Sequence, residues 1–173
     1  MSSINTIYCV DSSVFIAMQR FNHLGIMPER IWNLLDELFQ SDKIISHDFV
    51  FKEISPDTKK PDYLATWIKD KKKYFFGITE RQTILVTSIL EKFPGIIDPD
   101  KESDEADPWL IALALEKRES EALSHGYLDY CIVSNESEKS SKKIPAVCKE
   151  YGVPHLNIKD FFAANGWVIT IAT

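Results

Sequence analysis

Cysteine is scarce in this chain: Cys9, Cys131 and Cys148 are the only three among 173 residues, and no two form a C-x-x-C pair. An odd, widely spaced set suggests neither a disulfide framework nor a zinc knuckle. Cys9 in IYCV and Cys131 in YCIV sit in apolar runs and read as small buried core residues. The four histidines, His23, His47, His125 and His155, lack helical or hairpin metal spacing, which argues against a histidine-based zinc site. Long apolar runs are missing too, since none approaches the roughly 20 residues a membrane span requires. The start, MSSINTIYCVDSS, has neither the basic flank nor the apolar stretch of a signal peptide, so a cytoplasmic protein without a membrane partner is expected. No internal repeat, low-complexity tract or Gly/Ser-rich linker divides the chain, and residues 1–173 are expected to form one domain.

Net positive charge is also absent. The balance is −6, which argues against a protein whose whole surface grips nucleic acid. It leaves room for an enzyme that meets a phosphodiester through a bound metal. What is present is ordinary for a globular protein: 45% hydrophobic and 27% charged residues. The charge is uneven. Residues 98–107 carry six acids against one lysine, while 57–73 carry six lysines against three aspartates. A metal-binding mouth with a basic flank would look this way, and so would a solvated loop beside a solvated helix face.

Near-continuous apolar runs ending in polar turns predict buried strands at TIYCV (6–10), KIIS (43–46), YCIVS (130–134) and, more weakly, GVPHLN (152–157). Between the first two, PERIWNLLDELFQ places Ile31, Leu34, Leu35, Leu38 and Phe39 on one helical stripe. Further helices are predicted over 47–54, 61–73 (opened by Pro61), 79–92 and 108–118, the last apolar on most sides and therefore central. Strands alternating with helices predict an α/β fold: a three-layer α/β/α sandwich around a mainly parallel sheet. In such sheets functional groups gather outside the carboxyl ends of the strands.

Acids stand where elements start or end: Asp11, Glu53, Asp104 with Asp107, and Glu136. Each has a plain structural explanation. Asp11 before Ser12 and Ser13 is a good helix cap. Asp107 before Pro108 is another, worth about 1 kcal/mol. Glu53 reads as a solvated helix residue and Glu136 as a loop acid. Sequence alone does not bring them together.

Their order does form a pattern: a strand closing on aspartate and small hydroxyl residues (VDSSVFI), an acid in a helix after the second strand, aspartate leading into an Ile/Ala-rich helix (ADPWLIALALE), and a strand closing on Ser134, Asn135 and Glu136. This resembles the PIN-domain superfamily of metal-dependent nucleases, which includes toxins of bacterial toxin–antitoxin pairs. The resemblance spans roughly residues 5–165. The later stretch KIPAVCKEYGVPHLNIKDFFAANGW is similar to a toxin-like branch of that superfamily known as a domain of unknown function. Two departures stand out. The last acid is Glu136 where the family more often has aspartate, and extra helical sequence lies around 57–95.

The resemblance implies hydrolysis of RNA to a 5′-phosphate and a 3′-hydroxyl. Two carboxylates at ~4 Å repel by roughly 4 kcal/mol at an effective dielectric of about 20, so a cluster needs protons or cations. Oxygen-only ligands suit Mg²⁺ or Mn²⁺. Asp11, Glu53 and Asp107 are expected to hold a first ion. Asp104 and Glu136 are assigned a second ion or its waters. Ser13 and Ser134 are expected to orient ligands or bound water from behind. The four catalytic candidates are therefore Asp11, Glu53, Asp107 and Glu136. Lys139, Lys142 and Lys143 could touch substrate phosphate or belong to a flexible basic loop. Trp67, Tyr74, Phe75 and Phe76 could stack on bases, but their helix-period spacing favours the core.

The expected function is a metal-dependent endoribonuclease, the toxin of a type II toxin–antitoxin pair, with RNA as substrate, a cognate antitoxin as partner and a homodimer as a further expectation. The alternative is a catalytically silent PIN-like module that binds RNA or protein, an alternative kept open by Glu136. A doubly wound phosphatase with a nucleophilic aspartate is disfavoured, because the second aspartate it usually carries two residues on is Ser13 here.

Overall fold

The computed structural model describes residues 5–23, 25, 29–101 and 105–169. Asp104, one of the expected ligands, lies outside the described residues. Among the described residues five strands form one sheet: β1 (Asn5–Val10), β2 (Ile44–His47), β3 (Phe75–Phe76), β4 (Leu128–Val133) and β5 (His155–Leu156). Their order is β3-β2-β1-β4-β5 and every pairing is parallel. The apolar runs explain the centre of this sheet, because Ile7–Val10 and Tyr130–Val133 are buried throughout, as strands covered on both faces must be.

The helices are α1 (Ser12–His23), α2 (Arg30–Gln40), α3 (Asp48–Ile54), α4 (Tyr63–Ile68), α5 (Glu80–Lys92), α6 (Asp107–Ser124), α7 (Ile144–Tyr151) and α8 (Ile158–Ala164). The strands step outward from β1 to β3, then return to β4 and continue to β5. Right-handed crossovers place α1–α4 on one face and α5–α7 on the other. The packing agrees: α1 meets α3 and α4, while α6 meets α5 and α7. This is the expected three-layer sandwich. The direction of travel reverses between β1 and β4, so the crevice of a doubly wound sheet opens there. Asp11 leaves β1 and Ser134–Glu136 leave β4 at that crevice, and the Asp11 N–H donates to the Val133 carbonyl at 2.9 Å.

Several boundaries differ from the sequence reading. The helix expected over 61–73 is opened by Asp62, whose carboxylate accepts the Ala65 N–H at 2.8 Å, rather than by Pro61. It ends at Ile68 and continues as a 3₁₀ turn, Lys69–Tyr74. Lys71 turns inward there, with its ammonium 3.0 Å from Asp36, 2.8 Å from Asp70 and over the Trp67 ring. Phe75 and Phe76 then form β3, too short for any periodicity to reveal. Only His155 and Leu156 of the weak fourth run pair as a strand. Trp67 lies against Trp32, Phe39 and Phe15, and Tyr74 against Phe39, so these rings belong to the core and not to a stacking platform. All three cysteines are buried thiols. Residues 110–114 of α6 are fully buried, which makes α6 the central helix, and it runs on to Ser124 before His125 ends it in a left-handed conformation. No described helix is long and apolar enough to cross a membrane.

Candidate active site

Asp11 sits where β1 gives way to α1 and is 3% exposed. Its Oδ2 accepts the Ser13 N–H at 3.0 Å, so it does cap the helix. The Ser13 hydroxyl in turn accepts the Asn135 N–H at 2.9 Å, which ties the end of β1 to the segment after β4. Capping uses only one carboxylate oxygen. The other, Oδ1, is buried with no hydrogen-bond partner among the described residues. Such an orphan costs about 1–3 kcal/mol, so a purely structural aspartate would not be built this way. Burial, with Glu53 and Glu136 nearby, pushes the Asp11 carboxyl up to about 6 against the opposing hydrogen bonds of Ser13.

Asp107 corrects the sequence reading. It is the first residue of α6 rather than its cap; Ala106 occupies the cap position in helical conformation, and no side chain caps from there. The reason lies in α3. Glu53 reaches across and accepts the Ala106 N–H in a long bond of 3.4 Å, while the Leu110 N–H to Ala106 carbonyl bond starts the helix. The Asp107 carboxylate is therefore not needed for capping. Burial first, then the charges of Asp11, Glu136 and Glu53, push its carboxyl up to about 8; Lys143 partly offsets this.

Glu136 is half-buried and doubly engaged. Its Oε2 accepts the Ile144 N–H at 2.9 Å, at the start of α7, and its Oε1 lies 3.6 Å from the Lys143 ammonium. Asp11, Glu53, Asp107 and Glu136 thus come from four places in the sequence to one sheet edge, close enough to perturb one another. Among the described residues no three His, Cys, Asp or Glu side chains form a ready-made metal cage. Asp11, Glu53 and Glu136 each accept one backbone N–H, from Ser13, Ala106 and Ile144 respectively. The donor set still suits a hard divalent cation: it is all oxygen, one oxygen is orphaned and buried, and the Asp107 carboxylate accepts no hydrogen bond among the described residues.

The remaining candidates are distributed unevenly. Ser13 touches the site through Asp11. The Ser134 hydroxyl is buried in the β4–β5 seam, 2.9 Å from His155 Nε2. Lys143 stands beside Glu136, while Lys139 and Lys142 are exposed on the loop before it. One group escaped sequence reasoning. His47, fully buried at the end of β2, accepts the Phe49 N–H on Nδ1 at 3.1 Å, which leaves the proton on Nε2 to be donated to Gln82 Oε1 at 3.2 Å. Gln82 Nε2 donates to Glu116 at 2.7 Å, and Thr79 donates to the other Glu116 oxygen. Burial holds the His47 imidazolium below its ordinary range, which keeps the ring neutral for this role. The chain fixes the root of α3, and with it Glu53, against α5 and α6. No pattern marks it in the sequence, because its members lie 35 and 34 residues apart.

A family model described as a domain of unknown function (DUF4411) matches residues 8–169. No curated protein matches the chain. Among solved structures, a crystal structure of VapBC2 from Rickettsia felis bound to a fragment of its promoter DNA matches at 17% identity and a TM-score of 0.50. That match covers 87% of this chain and 98% of the other. At this identity the likeness concerns the fold, and together with the parallel sheet and its flanking helices it is consistent with a PIN-like α/β architecture.

Proposed function

The chain belongs to the DUF4411 family, and from the geometry of its site we propose that it is a metal-dependent ribonuclease, the toxin of a type II toxin–antitoxin pair. The observation that carries this reading is the buried, half-unsatisfied Asp11 beside a proton-retaining Asp107 at the sheet's switch point. The fold likeness to VapBC2 supports the toxin context and a cognate antitoxin as partner.

In this reading Asp11, Glu53 and Asp107 would hold Mg²⁺ or Mn²⁺, and Glu136, with Asp104, would serve a second ion or its waters. Such ions supply a more acidic bound water and positive charge on the phosphodiester. The residues do the rest. Asp11 is pre-positioned by Ser13, which also anchors the Asn135 backbone. Glu53 is aimed by the braced root of α3. Asp107 would have to be deprotonated to act as such a ligand. Water would add to phosphorus and lose a proton while the bond to the 3′ oxygen breaks and that oxygen takes up a proton, so that a 5′-phosphate and 3′-hydroxyl result. Lys143 would meet phosphate beside Glu136, with Lys139 and Lys142 on the loop before it. Homodimerisation belongs to the same proposal.

The engagement of Glu136 with Ile144 and Lys143 favours a second reading, a PIN-like module that binds RNA or protein without cutting. The test is cleavage of a mixed pool of labelled RNAs with Mg²⁺, with Mn²⁺ and with excess chelator, alongside Asp11→Asn and Asp107→Asn. Metal-dependent cutting lost in both variants is the expected result. Metal binding without cutting of any RNA favours the silent module.

A further inference from the structure

Beyond Glu53 the rim of the sheet turns basic. Lys52, its neighbour in α3, is exposed and stands 4.6 Å from the centre of the Phe49 ring. That ring is 5.6 Å from Trp109, two residues past Asp107. Lys72, on the 3₁₀ turn, lies 4.4 Å from the Phe51 ring and pairs with Asp48, the first residue of α3. Lys117, on α6, lies 4.3 Å from the ring of Phe76 at the end of β3. Gly77 connects the last two, since a Cβ there would meet the Asp48 carboxylate at 3.5 Å. Lys52 and Lys72 both bear electrostatically on His47 at the end of β2. Lys52 and Lys72 therefore stand by the end of β2 on the α3 side, and Lys117 stands by Phe76 of β3 on the α6 side.

Resting on the nuclease reading above, we infer that Lys52, Lys72 and Lys117 form a second phosphate-binding rim, which carries the stretch of polynucleotide on the β3 side of the carboxylates. An ammonium seated on a ring face is held in place; those of Lys52 and Lys117 keep an outer side for a phosphate oxygen, while Lys72 shares its charge with Asp48. Among the described residues neither Lys52 nor Lys117 has a carboxylate within 4.0 Å. The neighbouring acids are accounted for: Asp48 pairs with Lys72, and both oxygens of Glu116 accept from Thr79 and Gln82. A chain of net charge −6 repels a polyanion over most of its surface, so local positive charge decides where one can lie. Lys143 marks the opposite bank, beside Glu136, and the carboxylates lie between the two banks. The ring faces beneath the lysines are already occupied, so this bank reads backbone phosphates and not bases.

The test is binding of short fluorescein-labelled single-stranded RNA, and DNA of the same sequence, followed by anisotropy in excess chelator over a range of salt. The triple variant Lys52→Ala, Lys72→Ala, Lys117→Ala is expected to bind at least about tenfold more weakly, with a salt slope shallower by at least about 1.4, from roughly 0.7 for each of the two lysines without an ion pair. The corresponding triple Lys→Arg variant keeps both. Lys92→Ala, which removes one charge, paired with Glu150 at the far end of α5, changes neither. If the alanine triple does not fold, the exposed Lys52→Ala alone carries the test, with a slope loss of about 0.7. An unchanged slope in the alanine variants overturns the rim, as does equal weakening by Lys92→Ala. Cleavage assayed separately with metal distinguishes the two readings. Cutting with an unchanged slope removes the rim and leaves the nuclease. Lost binding with no cutting under any metal removes the nuclease and leaves the rim.

Discussion

In the metal-free chain Asp107 keeps its proton at neutral pH, because burial and three neighbouring carboxylates push its carboxyl up to about 8. The unfolded chain, with an ordinary carboxyl near 3.8, releases that proton first as pH rises. The stability linked to this group is therefore full below the ordinary range and is lost as pH climbs through about 8. Asp11 loses its smaller share between 3.8 and about 6. Asp107→Asn is accordingly expected to raise the melting temperature of the metal-free protein by several degrees near about pH 8, and to leave it nearly unchanged near about pH 4. Thermal unfolding in chelator across that range checks this. A variant destabilised at the higher pH would mark Asp107 as a structural helix-start residue and remove the main argument for a cation there. Asp11, Asp107, Glu53 and Glu136 were all legible as candidates from their positions relative to apolar runs. Which of them is capped, capping or unsatisfied was not, because the Ala106 and Ile144 N–H groups that take up Glu53 and Glu136 lie 53 and 8 residues away.

At the scale of elements, α3, α5 and α6 meet through the hydrogen-bonded chain from His47 to Glu116. Gln82 is fully buried and supplies both a donor and an acceptor, so no apolar residue of its size can replace it. Gln82→Leu leaves the His47 Nε2–H and one Glu116 oxygen unpaired. We expect a loss of about 3 kcal/mol of unfolding free energy, measured by denaturant titration. A loss well under about 1 kcal/mol would show that water takes over both partners and that the chain does not brace α3. Periodicity gave α2 and the core of α6 from sequence, since both show apolar residues at helical spacing. It missed the 3₁₀ turn and β3, because inward-turned Lys71 breaks the pattern and two residues cannot establish a period.

Over the whole molecule, stability should follow the depth of the sheet. β1 and β4 pair over six positions at the centre, whereas β3 and β5 are two-residue strands at the edges. Hydrogen exchange followed by mass spectrometry is expected to be slowest in β1 and β4 and distinctly faster at β3 and β5. Equal protection of the edges would mean that the sheet opens only by global unfolding. The switch point lies between the two most protected strands, which gives the carboxylate site a rigid base.

The sequence by itself determined the layer architecture and the candidate acids. Buried parallel strands must be apolar throughout, and acids at their polar ends are visible without coordinates. Only the tertiary structure decided that four separated carboxylates share one edge, that the Asp107 side chain is free of capping, and that Lys52, Lys72 and Lys117 each sit over an aromatic ring. Those facts depend on strand order and crossover direction, and on rings and backbone groups supplied by segments far apart in the chain.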